Sequence, residues 1–145
     1  MTSFVSRLPV VALLAFSTLS LMAQGPTPAK LEGEWKAVKG SRGGRELDAE
    51  HLSKVTVTIA GGTITIKEPG ISEKATLANI TAGKPGTVDL VIDIKGKSAT
   101  LEGIFELDGD DLALCLSKLP EKGTRPKGFE ATAESVSLLR LKRVK

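Results

Sequence analysis

The chain holds one cysteine, one histidine and one tryptophan, and no tyrosine. Each scarcity excludes a class of chemistry. A lone Cys115 cannot close an intramolecular disulfide, so the fold has to be held by its core. A closed zinc site takes three or four Cys, His or carboxylate ligands, and one of each softer kind does not complete it. A thiol nucleophile needs a base beside it, and His51, the one candidate, lies on a distant segment. Cys115 sits between Leu114 and Leu116, the usual setting of a buried, inert thiol. Readers of RNA and single strands stack bases on aromatic platforms, as carbohydrate-binding faces stack sugars. With aromatics at 3% of the chain, neither kind of surface is expected, and no nucleic-acid partner.

The charges carry no stripe. A net charge of +3 comes from lysines and arginines spread along the chain rather than clustered. "GSRGGR", residues 40–45, is glycine-rich and basic, yet no Lys-Ser/Thr pair follows a second glycine, so it reads as a surface loop rather than a phosphate loop. In "KLPEKGTRPKGFE", residues 118–130, the cations Lys118, Lys122, Arg125 and Lys127 read as solvating a long connection. Glu102 and Glu106 share one strand face and Asp89 and Asp93 another, so some are neighbours; a charged strand face is ordinarily the solvated one.

The stretch most suggestive of chemistry is "GIFELDGDDLALCL", residues 103–116. A calcium loop beginning at Asp108 needs an oxygen ligand fifth, glycine sixth and glutamate twelfth. The chain offers Leu112, Ala113 and Leu119 there. Asp108-Gly109 between two apolar runs is instead a hairpin signal. No catalytic residue, metal site or cofactor is expected.

What the sequence does contain is a leader and a run of strands. Residues 1–23 have one charged side chain, Arg7, then the uncharged apolar stretch "LPVVALLAFSTLSLMA" ending in a small residue. That is the pattern of a signal peptide, and it implies export to the periplasm or the medium, with no membrane span left after cleavage near Ala23. Residues 24–30, "QGPTPAK", read as a flexible leader, and residues 31–145 as one domain. Period-two alternation then dominates. Val57 and Ile59 alternate with threonines, as do Ile64 and Ile66, with "AGG" as the turn between them. "TVDLVIDI", "SATLEGIFEL", "DDLALCLS" and "ESVSLLRLKR" continue the pattern, and "LDAEHLSK", residues 47–54, is the one helical stretch, with Asp48 as its cap. About eight short strands with tight turns predict an all-β, eight-stranded antiparallel up-and-down barrel with one short helix, since closure removes the edges that an open sheet exposes.

Four blocks in order, "LEGEWKAVKG", "GIFELDGDDLALCLS", "TRPKGFEA" and "LLRLKR", resemble a family of small exported domains known chiefly from planctomycete-type bacteria. The resemblance spans Leu31 to Arg143. It implies a lipocalin-like β-barrel and brings no activity with it. Gly33-Glu34-Trp35 also looks like the glycine-any-tryptophan signature of the first lipocalin strand. The likeness implies that Trp35 plugs the closed end beneath an arginine of the last strand, with Arg143 and Arg140 the candidates. Gly33, Trp35, Asp108, Gly109 and Arg143 are thus expected to be structural.

An eight-stranded barrel is just wide enough to be filled by side chains or to hold one small ligand. If hollow, it is expected to be a monomeric, non-catalytic module binding a small apolar molecule against Val57, Ile66, Leu90, Ile92, Phe105 and Leu114. If filled, it is expected to be a structural or interaction domain that meets an envelope protein through the loops at 40–50 and 117–133.

Overall fold

The computed structural model describes residues 29–130 and 135–145; the expected signal segment, and most of the leader after it, lie outside the described residues. After a single 3-10 turn, Ala29–Leu31, the strands run β1 (Gly33–Arg42), β2 (Arg45–Glu46), β3 (Thr56–Ala60), β4 (Thr63–Glu68), β5 (Ile71–Thr81), β6 (Gly86–Ile94), β7 (Lys97–Asp108), β8 (Asp111–Ser117) and β9 (Val136–Arg143). β2 is a two-residue stub paired to the end of β1. The other eight form an antiparallel meander in chain order, and β1 closes it by pairing with β9 as well as with β3. The closed eight-stranded barrel and the short helix α1 (Ala49–Leu52) agree with the sequence expectation. Asp48 caps α1 as read, its carboxylate accepting from the His51 backbone N–H at 2.7 Å.

The turns follow from glycine. Gly61-Gly62 and Lys95-Gly96 all have φ between 52° and 80°, the left-handed conformation that two-residue hairpins require. Between β7 and β8 the register pairs Asp108 with Asp111, so the loop residues are Gly109 and Asp110, one position later than the Asp-Gly signal implies. Several strands are longer than their sequence runs indicate: β5 and β7 reach 11 and 12 residues.

The alternation expected along β1 breaks at one place. A bulge between Ala37 and Lys39 leaves Val38 outside and resets the pleat. Upstream, Trp35 and Ala37 face in; downstream it is Gly40 and Arg42, opposite Leu139 and Ser137, that do.

The barrel has two unlike ends. At the closed end Trp35 is wholly buried among Leu31, Ile59, Val88, Leu112 and Leu141, and its indole N–H donates to the Leu31 carbonyl at 3.0 Å. At the other end the strands β1, β4, β6 and β8 finish, and the long connections 43–55 and 118–135 begin.

A second apolar cluster lies outside the barrel. Ile104, Cys115 and Leu138 stand in register across β7, β8 and β9 on the outward face, with Phe129 and Val136 packed on them. The β8–β9 connection is therefore a cover over an apolar strip, not merely the solvated loop that its lysines imply.

Candidate functional site: the open end of the barrel

Above the tryptophan layer the interior is hollow. A cavity of about 580 Å³ occupies the upper half, a size ordinary for a small-molecule site. Its walls are apolar, supplied by Ile64 and Ile66 of β4, Leu90 and Ile92 of β6, Leu114 of β8 and Leu139 of β9. Each is an inward position of the period-two pattern, so the strands that build the core continue upward as the cavity wall.

Of the six apolar residues expected to contact a ligand, Ile66, Leu90, Ile92 and Leu114 line this cavity. Val57 and Phe105 do not. Val57 is fully buried in register with Trp35, and Phe105 packs in the lower core over Gly86, where an added Cβ would meet its ring at 2.6 Å. A void of only about 20 Å³ remains beside Phe105, too small for a ligand of this kind.

Polar groups at the rim were missed by the apolar reading. Arg42 enters because of the β1 bulge, which no simple alternation reveals. Glu68 and Glu73 could have been found: Glu68 extends the inward set Ile64, Ile66, and Glu73 pairs with Ile66. Arg42 Nη2 forms an ion pair with Glu68 Oε1, and the Glu68 side chain is only 4% exposed. Its second oxygen faces His51 Nε2 at 3.6 Å, and neither of those two buried atoms has a hydrogen-bond partner among the described residues. Ser72, Lys74, Asp93, Ser117, Lys118 and Ser137 make up the rest of the polar side.

The residues that invited catalytic readings are separated. His51 stands at the rim against Glu68, whereas Cys115 is buried in the outer cluster. Burial pushes the Cys115 thiol up to about 11, so it stays protonated near neutral pH and is a poor nucleophile. Asp89 and Glu102 are cross-strand neighbours on the outer wall, as a carboxylate pair would need. Between them, however, lies Arg125, whose Nη2 donates to Asp89 Oδ1 at 2.7 Å and to Glu102 Oε2 at 3.1 Å. Its Nη1 donates to the carbonyls of Gly103 and Val88 at 2.7 and 3.1 Å. Arg125 thus fastens the β8–β9 connection to the barrel wall, a role its place in a lysine-rich loop concealed.

At the closed end the guanidinium of Arg143, not Arg140, lies over Trp35 with Cζ 4.3 Å from the ring centroid. The β7–β8 turn is tied to the C-terminus, where Asp110 meets Lys145 at 3.0 Å; the hydrogen bond and charge of that lysine hold its carboxyl below the ordinary range. Among the described residues, no group of three or more His, Cys, Asp or Glu side chains is placed to hold a metal ion. No helix among them is long and apolar enough to cross a membrane.

No protein-family model matches the chain, and neither a curated protein nor a solved structure resembles it significantly.

Proposed function

We propose that this chain is an exported, monomeric, non-catalytic barrel that carries a small apolar molecule, and that it belongs to the planctomycete-type family of exported domains that its four sequence blocks resemble. The observation that carries the binding function is the cavity of about 580 Å³ with apolar walls and a polar rim. Apolar walls favour a ligand that leaves water, and the few polar groups at the mouth orient whichever end stays near solvent. Two features support a carrier over an enzyme. The buried thiol is protonated, and the Asp89–Glu102 carboxylate pair on the outer wall is bridged by Arg125.

Native mass spectrometry tests the proposal on protein purified without detergent from the exported fraction of cells expressing the full chain. An adduct of a few hundred daltons that leaves on collisional activation is the expected result. A bare mass, unchanged after incubation with small apolar probes such as a fatty acid or a retinoid, would overturn it. The envelope interaction domain would then be the better reading, because the loops at 40–50 and 117–133 both emerge at the open end.

A further inference from the structure

Beyond carriage itself, the open end gathers most of the exposed large apolar side chains among the described residues. Five large apolar side chains are exposed among the described residues, and three of them, Ile71, Ile94 and Leu119, stand at this one end. Each is on a different connection: Ile71 where β4 turns into β5, Ile94 where β6 turns into β7, and Leu119 just after β8. The strand order β4 to β9 is unbroken around the barrel, so the three connections follow one another along the cavity mouth. Scattered exposed apolar residues are ordinary; successive ones around an apolar cavity are not.

Lysines accompany them. Lys67 and Lys74 flank Ile71, Lys95 and Lys97 follow Ile94, and Lys118 and Lys122 bracket Leu119, all of them exposed. Among the described residues none of the six is in an ion pair. The exposed acids on the same segments are Glu73, Asp93 and Glu121, so positive charge prevails on these three connections, and Glu68 is buried against Arg42. The fourth connection, 43–55, carries Glu46, Asp48 and Glu50 against Arg45 and Lys54, and leaves the lysine-bearing side to face the lipid. Apolar tips beside flexible cations suit the boundary of an anionic bilayer, where the tips enter the acyl region and the ammonium groups stay with the headgroups. A folded protein partner would have to bury these lysines or pair each of them, whereas a fluid anionic surface supplies charge wherever a lysine falls.

We infer that the open end docks on an anionic phospholipid surface through Ile71, Ile94 and Leu119 with their adjoining lysines. Docked in this way, the cavity mouth faces the bilayer, and an apolar ligand passes between membrane and barrel without crossing water.

The test is flotation of the purified exported protein with mixed phosphatidylglycerol–phosphatidylcholine vesicles and with pure phosphatidylcholine vesicles. Co-flotation with the anionic vesicles is expected, weakened by salt. Ile71→Ser with Ile94→Ser is expected to lower partitioning about tenfold, by loss of inserted apolar area. Lys95→Glu with Lys97→Glu is expected to abolish the preference for anionic lipid. Val38→Ser, at a still more exposed site on the barrel wall, is expected to change nothing. All these positions are exposed, and a thermal melt of each variant verifies the fold. No flotation of the parent protein overturns the inference, as does flotation that the rim substitutions leave unaltered, which is how binding through the N-terminal apolar stretch would behave. The two readings fail separately: a ligand adduct without flotation overturns only the docking, and rim-dependent flotation of an adduct-free protein upholds docking while telling against carriage.

Discussion

Arg143 covers the ring of Trp35, and the same guanidinium closes the bottom of the barrel to the chain that precedes it. Its Nη1 donates to the Glu32 carbonyl at 2.7 Å and its Nη2 to the Lys30 carbonyl. Gly33 is required beneath it, since φ there is +133° and an added Cβ would lie 2.9 Å from Arg143 Nη1. The glycine, the tryptophan and the arginine are therefore one device, a plug with its clamp. Arg143→Met is expected to cost about 2 kcal/mol, from the lost cation–π contact and charged hydrogen bonds. Trp35→Ala is expected to cost about 3–5 kcal/mol, as other large buried aromatics do. Urea unfolding measures both, and a double-mutant cycle with Trp35→Leu and Arg143→Met should give a clear coupling energy. Strict additivity would show that the stacking contributes nothing.

Arg125 should be among the more sensitive positions outside the core. Arg125→Met leaves Asp89 and Glu102 side by side and largely buried without their cation. A loss of about 3 kcal/mol is expected. Lysine should restore little, because it lacks the fork that reaches two carboxylates and two carbonyls together. Adding Asp89→Asn and Glu102→Gln to the methionine variant should recover part of the loss. If the single substitution leaves the denaturation midpoint unmoved, the β8–β9 connection is held by Phe129 and its apolar neighbours alone.

Cys115 gives the stability a slope at alkaline pH. Its thiol is held at about 11 in the fold against an ordinary value of 9.0, so above the ordinary value the unfolded chain ionises and the folded one does not. Stability is expected to decline as pH rises across that interval, and Cys115→Ala should flatten the decline. Near neutral pH, alkylation with iodoacetamide followed by intact mass should be slow until denaturant is added. Rapid labelling of the native protein would place the thiol in solvent.

The cavity should be closable without unfolding the barrel. Ile92 is half-buried in its wall, and Ile92→Trp adds bulk toward empty space rather than into packed neighbours. The variant is expected to keep its thermal midpoint within a few degrees and to lose any mass-spectrometric adduct. The same substitution at Val57, fully buried, should instead destabilise by about 1–3 kcal/mol through overpacking. Retention of a full adduct by the Ile92 variant would put the ligand elsewhere.

The barrel was legible in the chain because its determinants are local. Alternation along "TVTIAGGTITI" and "TVDLVIDI" follows from the pleat, and Gly61, Gly62, Gly96 and Gly109 take backbone conformations that other residues resist. Four wall residues of the cavity could be named from that alternation alone, because facing inward is a property of the strand. How deep each lies is not. Val57 and Phe105 have the same inward parity as Ile66 and Leu90, and Val57 even pairs directly with Ile66, so only the way the closed barrel packs around Trp35 separates filled core from cavity wall.

The rest depended on non-local contacts. The bulge after Ala37 turns Arg42 inward, and nothing in "WKAVKGSR" marks it, since it is resolved only when β1 must pair with β3 and β9 at once. Arg125 looks like any loop cation until the fold carries it to Asp89 and Glu102, 36 and 23 residues away. "LALCL" did hold a readable signal, for a strand apolar on successive positions is covered on both faces, and the cover here is the β8–β9 connection. The sequence by itself determined the strands, their turns and which face of each is apolar, because those depend on near neighbours. Tertiary structure alone decided where the barrel is filled and where it is hollow, and which charges meet at its mouth, because those depend on strand register and closure.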